Sequence, residues 1–365
     1  MSFTVTALPA AQGDALWIEY GTRSAPSRVI VDGGTLETET VVQDRIRAVG
    51  SSSVVIDLLV VTHVDSDHIA GILKLLAAQN PGVTFRDVWF NAWRHLDPTH
   101  IPSGDILGPA EGEYLSVRLT DRHDPWNVAF GGKAVVVPDA GNLPVRTLDR
   151  GMKLTLLSPT QAQLSALIPK WKQDVQKAHL VPGDLAVARD RLAGLKRYVP
   201  KDVLGGTIDV ETLAAQPFHS DTTKPNASSI GFLAEYEGRS CLFTGDGQMP
   251  VLVPTLRRLC NERGTDRLAV DALKMPHHGS RANISVEFLK LLDCGNYIVS
   301  SSGAIYNHPD TEAIARVITH GGVRPTLHFN YRTEYNTMWD AEAVKARHKY
   351  KTVFAEDGEP LVMDL

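Results

Sequence analysis

The sequence predicts an α/β sandwich, and three observations support this prediction. Short apolar segments rich in branched residues alternate with segments in which apolar residues recur at helical spacing, a pattern typical of layered α/β folds. The 365 residues, 43% of them hydrophobic, suffice for one core plus one insertion. Polar residues that can bind a metal repeatedly follow the predicted strands, which is where such folds place active sites.

The composition argues against several classes of protein. The formal net charge is −5 and no run of Lys or Arg occurs, so we do not expect a protein that coats long nucleic acid. No apolar stretch approaches the ~20 residues that span a bilayer, and the first residues lack a secretion signal; we expect a cytoplasmic protein without membrane contact. The separated Cys241, Cys260 and Cys294 are predicted to be buried, reduced thiols.

The alternation of strands and helices is clear in residues 1–94. Strands are predicted at 3–8, 15–20, 28–31, 57–61 and 87–90, and a helix at 38–49. The strand at 57–61 is short, branched and unbroken, which indicates burial on both faces. A second helix follows it, with apolar residues at Ile69, Ile72, Leu73 and Leu76, and Ser66 or Asp67 as the expected cap.

Residues 95–216 break this alternation and are rich in Pro and Gly, so we interpret them as an insertion that covers the site. One strand, 153–157, and one helix, 162–178, are predicted there. We expect its histidines to be surface or hydrogen-bonded side chains rather than ligands. These histidines are His95, His100, His123 and His179.

The alternation resumes over residues 217–365. A hairpin is predicted from strands 229–236 and 241–243, joined by a Glu237-Gly238 turn. Further strands are predicted at 270–275, 297–300 and 326–329, and helices at 251–260 and 286–292. A second hairpin is predicted over 351–365.

Four polar clusters follow predicted strands. They are Asp32-Gly33-Gly34, the run 62–68 with sequence Thr-His-Val-Asp-Ser-Asp-His, Asp246, and His277-His278. Any one of them alone is more often structural than ligating. Two carboxylates at the end of a buried strand repel each other unless a cation lies between them, so the clusters together predict a metal site. Asp32 is expected to hold a ligand histidine or the metal-binding turn by hydrogen bonds, or only to cap its own turn.

These motifs resemble the metallo-β-lactamase fold superfamily and, within it, the nuclease-like domain of ComEC-type DNA-uptake proteins. The resemblance covers residues 1–93 and 217–365. It rests on the runs 12–15 (Gln-Gly-Asp-Ala), 29–34, 62–68, 226–229, 243–246, 274–280 (Lys-Met-Pro-His-His-Gly-Ser), 301–303 and 307–309. The resemblance implies an αββα sandwich of the metallo-β-lactamase type that holds two divalent metal ions, interrupted by the insertion.

The resemblance also implies how the ligands divide between the ions. One ion would take His63, Asp65 and a third ligand, either His219 or Asn226; the other would take Asp67, His68 and a histidine of the 277–278 pair, with Asp246 bridging. The sequence leaves open whether His277 or His278 binds. Because the set is rich in carboxylates and lacks thiolates, it suits Mn²⁺ as well as Zn²⁺.

The chemistry expected of such a centre is hydrolysis of a phosphodiester through a metal-bridging hydroxide. His308, and whichever of His277 and His278 does not bind metal, could donate a proton to the leaving oxygen or grip a phosphate. Ser280 and Arg281 are placed at the start of a predicted helix, where they could bind an anion, although Ser280 could equally be an ordinary cap.

The expected substrate is a short or single-stranded nucleic acid or a nucleotide. Only Lys274 and Arg281 supply positive charge near the histidine pair, which is too little to grip a closed circular duplex. Three alternatives stay open: a hydrolase of a lactam, lactone or thioester, a metal-stabilised binding or sensing module without turnover, and an enzyme that cleaves phosphorylcholine esters. Protein partners and oligomeric state cannot be predicted.

Overall fold

The computed structural model describes residues 1–38, 40–51, 53–78, 81–96, 110–177 and 208–365. His100 and His179 of the predicted insertion lie outside these residues. Within them, no helix combines the length and apolar content needed to cross a bilayer. The three cysteines are buried and free, as predicted.

The strands and helices are numbered in chain order. The strands are β1 (Ser2–Ala7), β2 (Leu16–Thr22), β3 (Ala25–Val31), β4 (Val54–Ile56), β5 (Leu58–Val60), β6 (Val83–Phe85), β7 (Val88–Trp89), β8 (Val145–Thr147), β9 (Lys153–Ser158), β10 (Gly231–Tyr236), β11 (Arg239–Phe243), β12 (Leu268–Lys274), β13 (Leu292–Val299), β14 (Thr326–Phe329), β15 (Lys351–Phe354) and β16 (Leu361–Asp364). The helices are α1 (Val41–Ala48), α2 (Ser66–Ala77), α3 (Trp93–Leu96), α4 (Ala110–Asp121), α5 (Gln161–Lys177), α6 (Val210–Ala214), α7 (Lys224–Ala227), α8 (Met249–Glu262), α9 (Val286–Lys290), α10 (Thr311–His320), α11 (Glu334–Thr337) and α12 (Glu342–His348).

Two sheets form the centre of the molecule. The smaller sheet has the order β16-β1-β2-β3-β5-β7, and the larger has the order β15-β14-β13-β12-β11-β10-β9-β8. In the larger sheet β11 to β15 are parallel neighbours, which requires crossover connections through α8, α9, α10 and α12. A separate pair of short parallel strands, β4 and β6, completes the sheets.

Side chains of β5 show how the layers pack. Leu58 and Val60 join the apolar core that also contains residues of the larger sheet. Leu59 and Val61 point the other way and join a second apolar cluster with Ile69 of α2. Because side chains alternate along a strand, β5 is buried on both faces, as its unbroken apolar sequence predicts. The α/β class and the sandwich of two sheets between helices are therefore confirmed.

The two predicted hairpins have different outcomes. Strands β10 and β11 do pair antiparallel, and Glu237 and Gly238 take the positive φ angles of a tight hairpin turn. The hairpin predicted over 351–365 is wrong: β15 pairs with β14 in the larger sheet, whereas β16 pairs with β1 in the smaller sheet. The apolar pattern gave the strands correctly, but partner choice depends on the rest of the sheet.

The described part of the predicted insertion packs closely on the sandwich. Strand β9 pairs with β10 and extends the larger sheet, while α4 and α5 contribute to the apolar cluster around α2. His95 is buried, and its Nδ1 lies 3.0 Å from Ala92 N and its Nε2 3.1 Å from Nε of Arg94, so the nitrogen without the proton accepts a hydrogen bond. His123 is exposed. Both histidines have the structural roles predicted for them; the boundaries at 95 and 216 stay a prediction.

Candidate metal centre

The turn between β5 and α2 brings four candidate ligands to the end of the smaller sheet. His63 and Asp65 precede the helix, and Asp67 and His68 lie in its first turn. The cap residue of α2 is Asp65 rather than the predicted Ser66 or Asp67, and its carboxylate makes no cap hydrogen bond. That carboxylate is therefore available to the cluster.

Two further turns come from the larger sheet. Asp246 follows β11, and His277 and His278 follow β12 in the short 3₁₀ turn Pro276–Gly279. Both histidines have left-handed backbone conformations, with φ of 47° and 55°. Such conformations are costly for residues other than glycine and tend to cluster at functional sites.

The carboxylate of Asp246 lies between two sets of imidazoles. Its Oδ2 is 3.4 Å from Nε2 of His277 and 3.9 Å from Nε2 of His63. Its Oδ1 is 3.3 Å from Nε2 of His68 and 3.8 Å from Nε2 of His278. The two oxygens therefore face different pairs of histidines.

The two remaining aspartates divide in the same way. Oδ2 of Asp65 is 3.6 Å from Nε2 of His63, and Oδ2 of Asp67 is 3.6 Å from Nε2 of His278 and 4.0 Å from Nε2 of His68. The centre thus has two halves that share Asp246. We call His63, Asp65 and His277 the open half, and Asp67, His68 and His278 the buried half.

Hydrogen bonds orient the imidazoles on the metal-binding turn. Nδ1 of His68 is 2.8 Å from Oδ2 of Asp32, which also accepts a hydrogen bond from the Thr62 hydroxyl. Since that hydroxyl donates to Asp32, it can accept from Nδ1 of His63 at 3.0 Å. Both rings then carry their proton on Nδ1, and their Nε2 lone pairs face the cluster. The hydrogen bonds predicted for Asp32 are present.

The rings of His277 and His278 are also oriented by hydrogen bonds at Nδ1. Nδ1 of His277 is 2.9 Å from Oδ1 of Asn283, and Nδ1 of His278 is 2.9 Å from the carbonyl oxygen of Ser300. Each acceptor fixes the proton on Nδ1, so both rings present Nε2 to Asp246. Ligand histidines in metalloproteins are held in this way.

Several of the inward-facing atoms have no protein partner. Nε2 of His63, His68 and His278 and Oδ1 of Asp246 are buried without a hydrogen bond. Leaving such a group unpaired costs about 1–3 kcal/mol each, and native proteins avoid it. One ligand atom from each of Asp14, His68, Asp246 and His278 lies within 4.8 Å of the others. Mixed imidazole and carboxylate donors at this spacing fit a divalent metal ion.

The charges of the cluster reinforce each other. Burial works to lower the pKa of His278, but Asp14 and Asp246 raise it to about 9. Burial would also lower the pKa of His68, but Asp246 and Asp32 hold it well above its ordinary value. Burial would raise the pKa of Asp246, but His277, His68 and His278 hold it well below its ordinary value. In the absence of a metal, protons therefore occupy the positions that a cation would take.

His308 lies beside the open half. Its ring centre is 5.4 Å from that of His277, and its buried Nδ1 has no hydrogen-bond partner. Burial, with the neighbouring His277 and His278, lowers the pKa of His308 to about 3. Its imidazole is therefore neutral at physiological pH.

The two candidates for a third ligand of the first ion are not brought into the cluster. His219 is exposed and makes no contact with the cluster in the part of the chain that the structure describes. Asn226 lies behind His277: its Nδ2 is 3.4 Å from Nδ1 of His277 and donates to Asp221 at 2.7 Å. The side chain that faces Oδ2 of Asp246 at this position is His277.

The anion site expected at Ser280 and Arg281 is wrong. The next helix, α9, begins at Val286 and is capped by the Ser285 hydroxyl, so neither residue stands at a helix start. The Arg281 guanidinium is exposed and pairs with Glu312 at 2.8 Å.

Sequence reasoning missed the position of Asp14. It belongs to the run 12–15, which carried only the family resemblance, and nothing in its local pattern indicates that its carboxylate reaches His278. Lys274, expected to supply positive charge near the histidine pair, is buried and paired with Asp14. The link joins residues 260 positions apart in the chain.

A cleft of about 420 Å³ leads to the cluster. Its lining includes Asp65 and Asp67 of the centre, Glu111 of α4, Asp174 of α5 and the ring of Tyr306. No lysine or arginine lines it among the described residues, although Lys170 pairs with Asp174 at 2.6 Å.

Comparisons with known proteins found similar solved structures. No protein-family model and no curated protein sequence matches the chain. The metallo-β-lactamase fold protein YhfI from Bacillus subtilis is similar over 100% of both chains, with 10% identity and a TM-score of 0.42. CmlA, a diiron β-hydroxylase from Streptomyces venezuelae, is similar over 100% of this chain and 54% of its own, with 13% identity and a TM-score of 0.41. The metallo-β-lactamase SMB-1 aligns over 87% of this chain and 95% of its own, with 13% identity and a TM-score of 0.29.

These identities bear on the fold alone. The layers, the sheet order and the position of the cluster are those of the chain itself. Two sheets pack between helices, and three turns at one end of those sheets carry the histidines and aspartates. The fold is an αββα sandwich, with two sheets packed between helices.

Proposed function

We propose that this protein is a hydrolase that binds two divalent metal ions and cleaves phosphodiester bonds. The observation that carries the proposal is the set of buried, unpartnered Nε2 atoms around the two oxygens of Asp246. The open half would hold one ion and the buried half the other, with Asp246 between them. Each histidine of the pair would then serve a different ion.

Divalent ions bound in the two halves would supply positive charge to a substrate oxygen and lower the pKa of a coordinated water. The donor set of imidazoles and carboxylates, without thiolates, suits Zn²⁺ or Mn²⁺. The protein's own contribution is orientation. The hydrogen bonds on every Nδ1 hold the rings before an ion arrives, so little reorganisation is needed when it binds.

The open half offers a hydrogen-bond donor for a phosphodiester oxygen. Asp65, Asp67, Asp246 and a bridging hydroxide would together offset the four positive charges of two divalent ions, so a singly charged phosphodiester would meet a centre without net negative charge. His308, neutral and beside the open half, is placed to donate a hydrogen bond to a substrate oxygen.

The cleft supports a small substrate. A volume of about 420 Å³ is in the range of small-molecule sites, and its lining includes Glu111 and Asp174. Both residues belong to helices of the predicted insertion, which is consistent with its proposed role as a cover. We therefore propose a nucleotide or a short single strand as the substrate rather than continuous duplex DNA.

A turnover screen tests the proposal. Protein loaded with Zn²⁺ or with Mn²⁺ is assayed against bis-p-nitrophenyl phosphate, cyclic nucleotides and oligonucleotides, with nitrocefin and a lactone as controls for the alternative hydrolases. We expect metal-dependent cleavage of the phosphodiesters only. Cleavage confined to nitrocefin or the lactone would contradict the phosphodiester proposal, and two bound ions without any turnover would support a binding module instead.

Substrate length is tested separately. Initial rates on a supercoiled plasmid and on a single-stranded oligonucleotide are compared at equal metal and salt. We expect the oligonucleotide to be cleaved faster, because the described residues that line the cleft offer no track of positive side chains for a duplex. Rapid nicking of the plasmid with an inert oligonucleotide would contradict this expectation.

A further inference from the structure

Lys274 and Asp14 form an ion pair directly behind the buried half. The Nζ of Lys274 donates to Oδ2 of Asp14, and the two side chains are only 2% and 3% exposed. Burying two charges carries a desolvation cost that a pair of apolar residues would avoid. A buried pair next to a ligand histidine therefore calls for an explanation other than stability.

The second oxygen of Asp14 faces that histidine. Oδ1 of Asp14 is 3.4 Å from Nδ1 of His278 and is buried without a hydrogen-bond partner. Nδ1 of His278 already donates to the carbonyl oxygen of Ser300 at 2.9 Å. A carboxylate on the same side holds the proton on Nδ1, which leaves the lone pair of Nε2 for the metal pocket.

The backbone of Asp14 is fixed to the other ligand turn. Its N–H donates to the carbonyl oxygen of Asp67 at 3.2 Å, and its carbonyl oxygen accepts from Gly34 N at 2.7 Å. At the preceding Gly13, a Cβ atom would lie 1.9 Å from the carbonyl oxygen of Asp67, so only glycine allows this approach. Asp14 thus touches both turns that supply the buried half.

We propose that Asp14 and Lys274 are a positioning pair for His278, with Lys274 fixing the carboxylate of Asp14 and that carboxylate fixing the ring of His278. This inference rests on the proposed function, since it concerns the same centre. Lys274 takes Oδ2 of Asp14 and Oδ1 faces Nδ1 of His278, so Asp14 acts on the ring and not on the ion. The pair sets the affinity of the buried half without touching the ion.

Zn²⁺ binding to three variants tests the pair. Asp14→Asn, Lys274→Met and the double variant are titrated with Zn²⁺ against a competing chelator, and bound metal is counted at saturation. For Asp14→Asn we expect a loss of about 10- to 100-fold in affinity for the tighter ion, the usual effect of removing a carboxylate behind a ligand histidine. The count of two ions at saturation should not change.

Thermal unfolding of the metal-free variants separates positioning from a purely structural role. Lys274→Met leaves a buried carboxylate without its partner, so its Tm should fall. The double variant removes both charges, and we expect its Tm to return toward that of the wild type while its Zn²⁺ affinity stays as low as that of Asp14→Asn. If Lys274→Met does not fold, the other two variants still decide the result.

Asp57→Asn is the matched control. Asp57 is a buried carboxylate that pairs with Arg86 at 2.9 Å and accepts from the Tyr20 hydroxyl at 3.1 Å, and it has no contact with the centre among the described residues. We expect it to lower Tm and to leave Zn²⁺ affinity unchanged.

Three results would overturn the inference. The first is a Zn²⁺ affinity of Asp14→Asn within twofold of the wild type, and the second is an affinity restored together with stability in the double variant. The third is the loss of one equivalent of Zn²⁺ at saturation in Asp14→Asn, which would make Asp14 a ligand. A wild-type protein that binds no metal would overturn both this inference and the proposed function. Two bound ions without turnover would count against the function alone.

Discussion

The two halves of the candidate centre differ in their access to solvent. In the open half the Asp65 side chain is 42% exposed and that of His277 is 22% exposed. In the buried half His68 and His278 are at most 1% exposed and Asp67 is 15% exposed. Water competes with ligands in the open half, whereas the buried half is enclosed and braced by Asp32, Ser300 and Asp14. We infer that the buried half holds its ion more tightly and that the open half meets the substrate.

The largest effect should come from the residue that the halves share. Asp246→Asn removes the negative charge between them, so we expect kcat to fall by at least about a thousandfold, or ~4 kcal/mol. The measurement is turnover of bis-p-nitrophenyl phosphate with saturating metal. Asp271→Asn, a carboxylate on β12 that binds Arg239, is the control and should retain activity. Activity above a tenth of wild type in Asp246→Asn would rule out the shared role.

The difference between the halves is tested by metal counts. His277→Ala should keep one tightly bound ion and lose the other, because it changes only the open half. His68→Ala should lose the tight ion, since its Nε2 is one of the buried, unpartnered atoms. Elemental analysis after gel filtration measures both, with the exposed His123→Ala as control. Equal loss in the two variants would contradict the comparison.

The metal-free protein should lose stability as pH rises. The pKa of His278 is raised from 6.5 to about 9 in the folded protein, so its bound proton stabilises the fold fully below pH 6.5. That contribution, up to about 3 kcal/mol, disappears between pH 6.5 and 9. Bound metal replaces the proton, so the loaded protein should not show this fall. Tm measured across this range with and without Zn²⁺ checks the prediction, and parallel curves would refute it.

Asp32→Asn should weaken the buried half by about 10- to 100-fold in metal affinity. The substitution removes the charged acceptor for Nδ1 of His68 while an amide oxygen can still accept from Thr62. Asn also tolerates the left-handed backbone at this position, where φ is 60°. A Zn²⁺ titration measures the effect. Unchanged metal affinity would mean that Asp32 only caps its own turn and does not orient His68.

The smallest effect is expected at Arg281. Its side chain is 63% exposed and paired with Glu312, so Arg281→Ala should change kcat/KM by less than about threefold. A larger loss with unchanged Tm would show that this guanidinium contacts substrate after all.

The ligand turns could be predicted from sequence because each is a local signal. The run 62–68 and the pair His277-His278 follow apolar strands, and those strands formed where their residues predict. The αββα arrangement was implied by the resemblance. Local patterns therefore sufficed to find the centre.

What could not be predicted depends on contacts between distant segments. The stacking of the two sheets places Lys274 against Asp14, and it places His277 rather than His219 beside Asp246. It also decides which sheet β16 joins. The error at Ser280 is of another kind: the helix forms at Val286–Lys290, close to its predicted bounds of 286–292, and Ser280 lies too far before it to be its cap.

The pairing of β16 with β1 has a consequence for synthesis of the chain. Thr4 and Asp364 are partners across that strand pair, 360 residues apart, so one edge of the smaller sheet stays without its neighbour until β16 has been synthesised. An unpaired strand edge is a template for association with other chains. Nascent protein should therefore depend on chaperones until β16 is made, and shortening the chain before Leu361 should yield aggregates rather than a smaller folded protein.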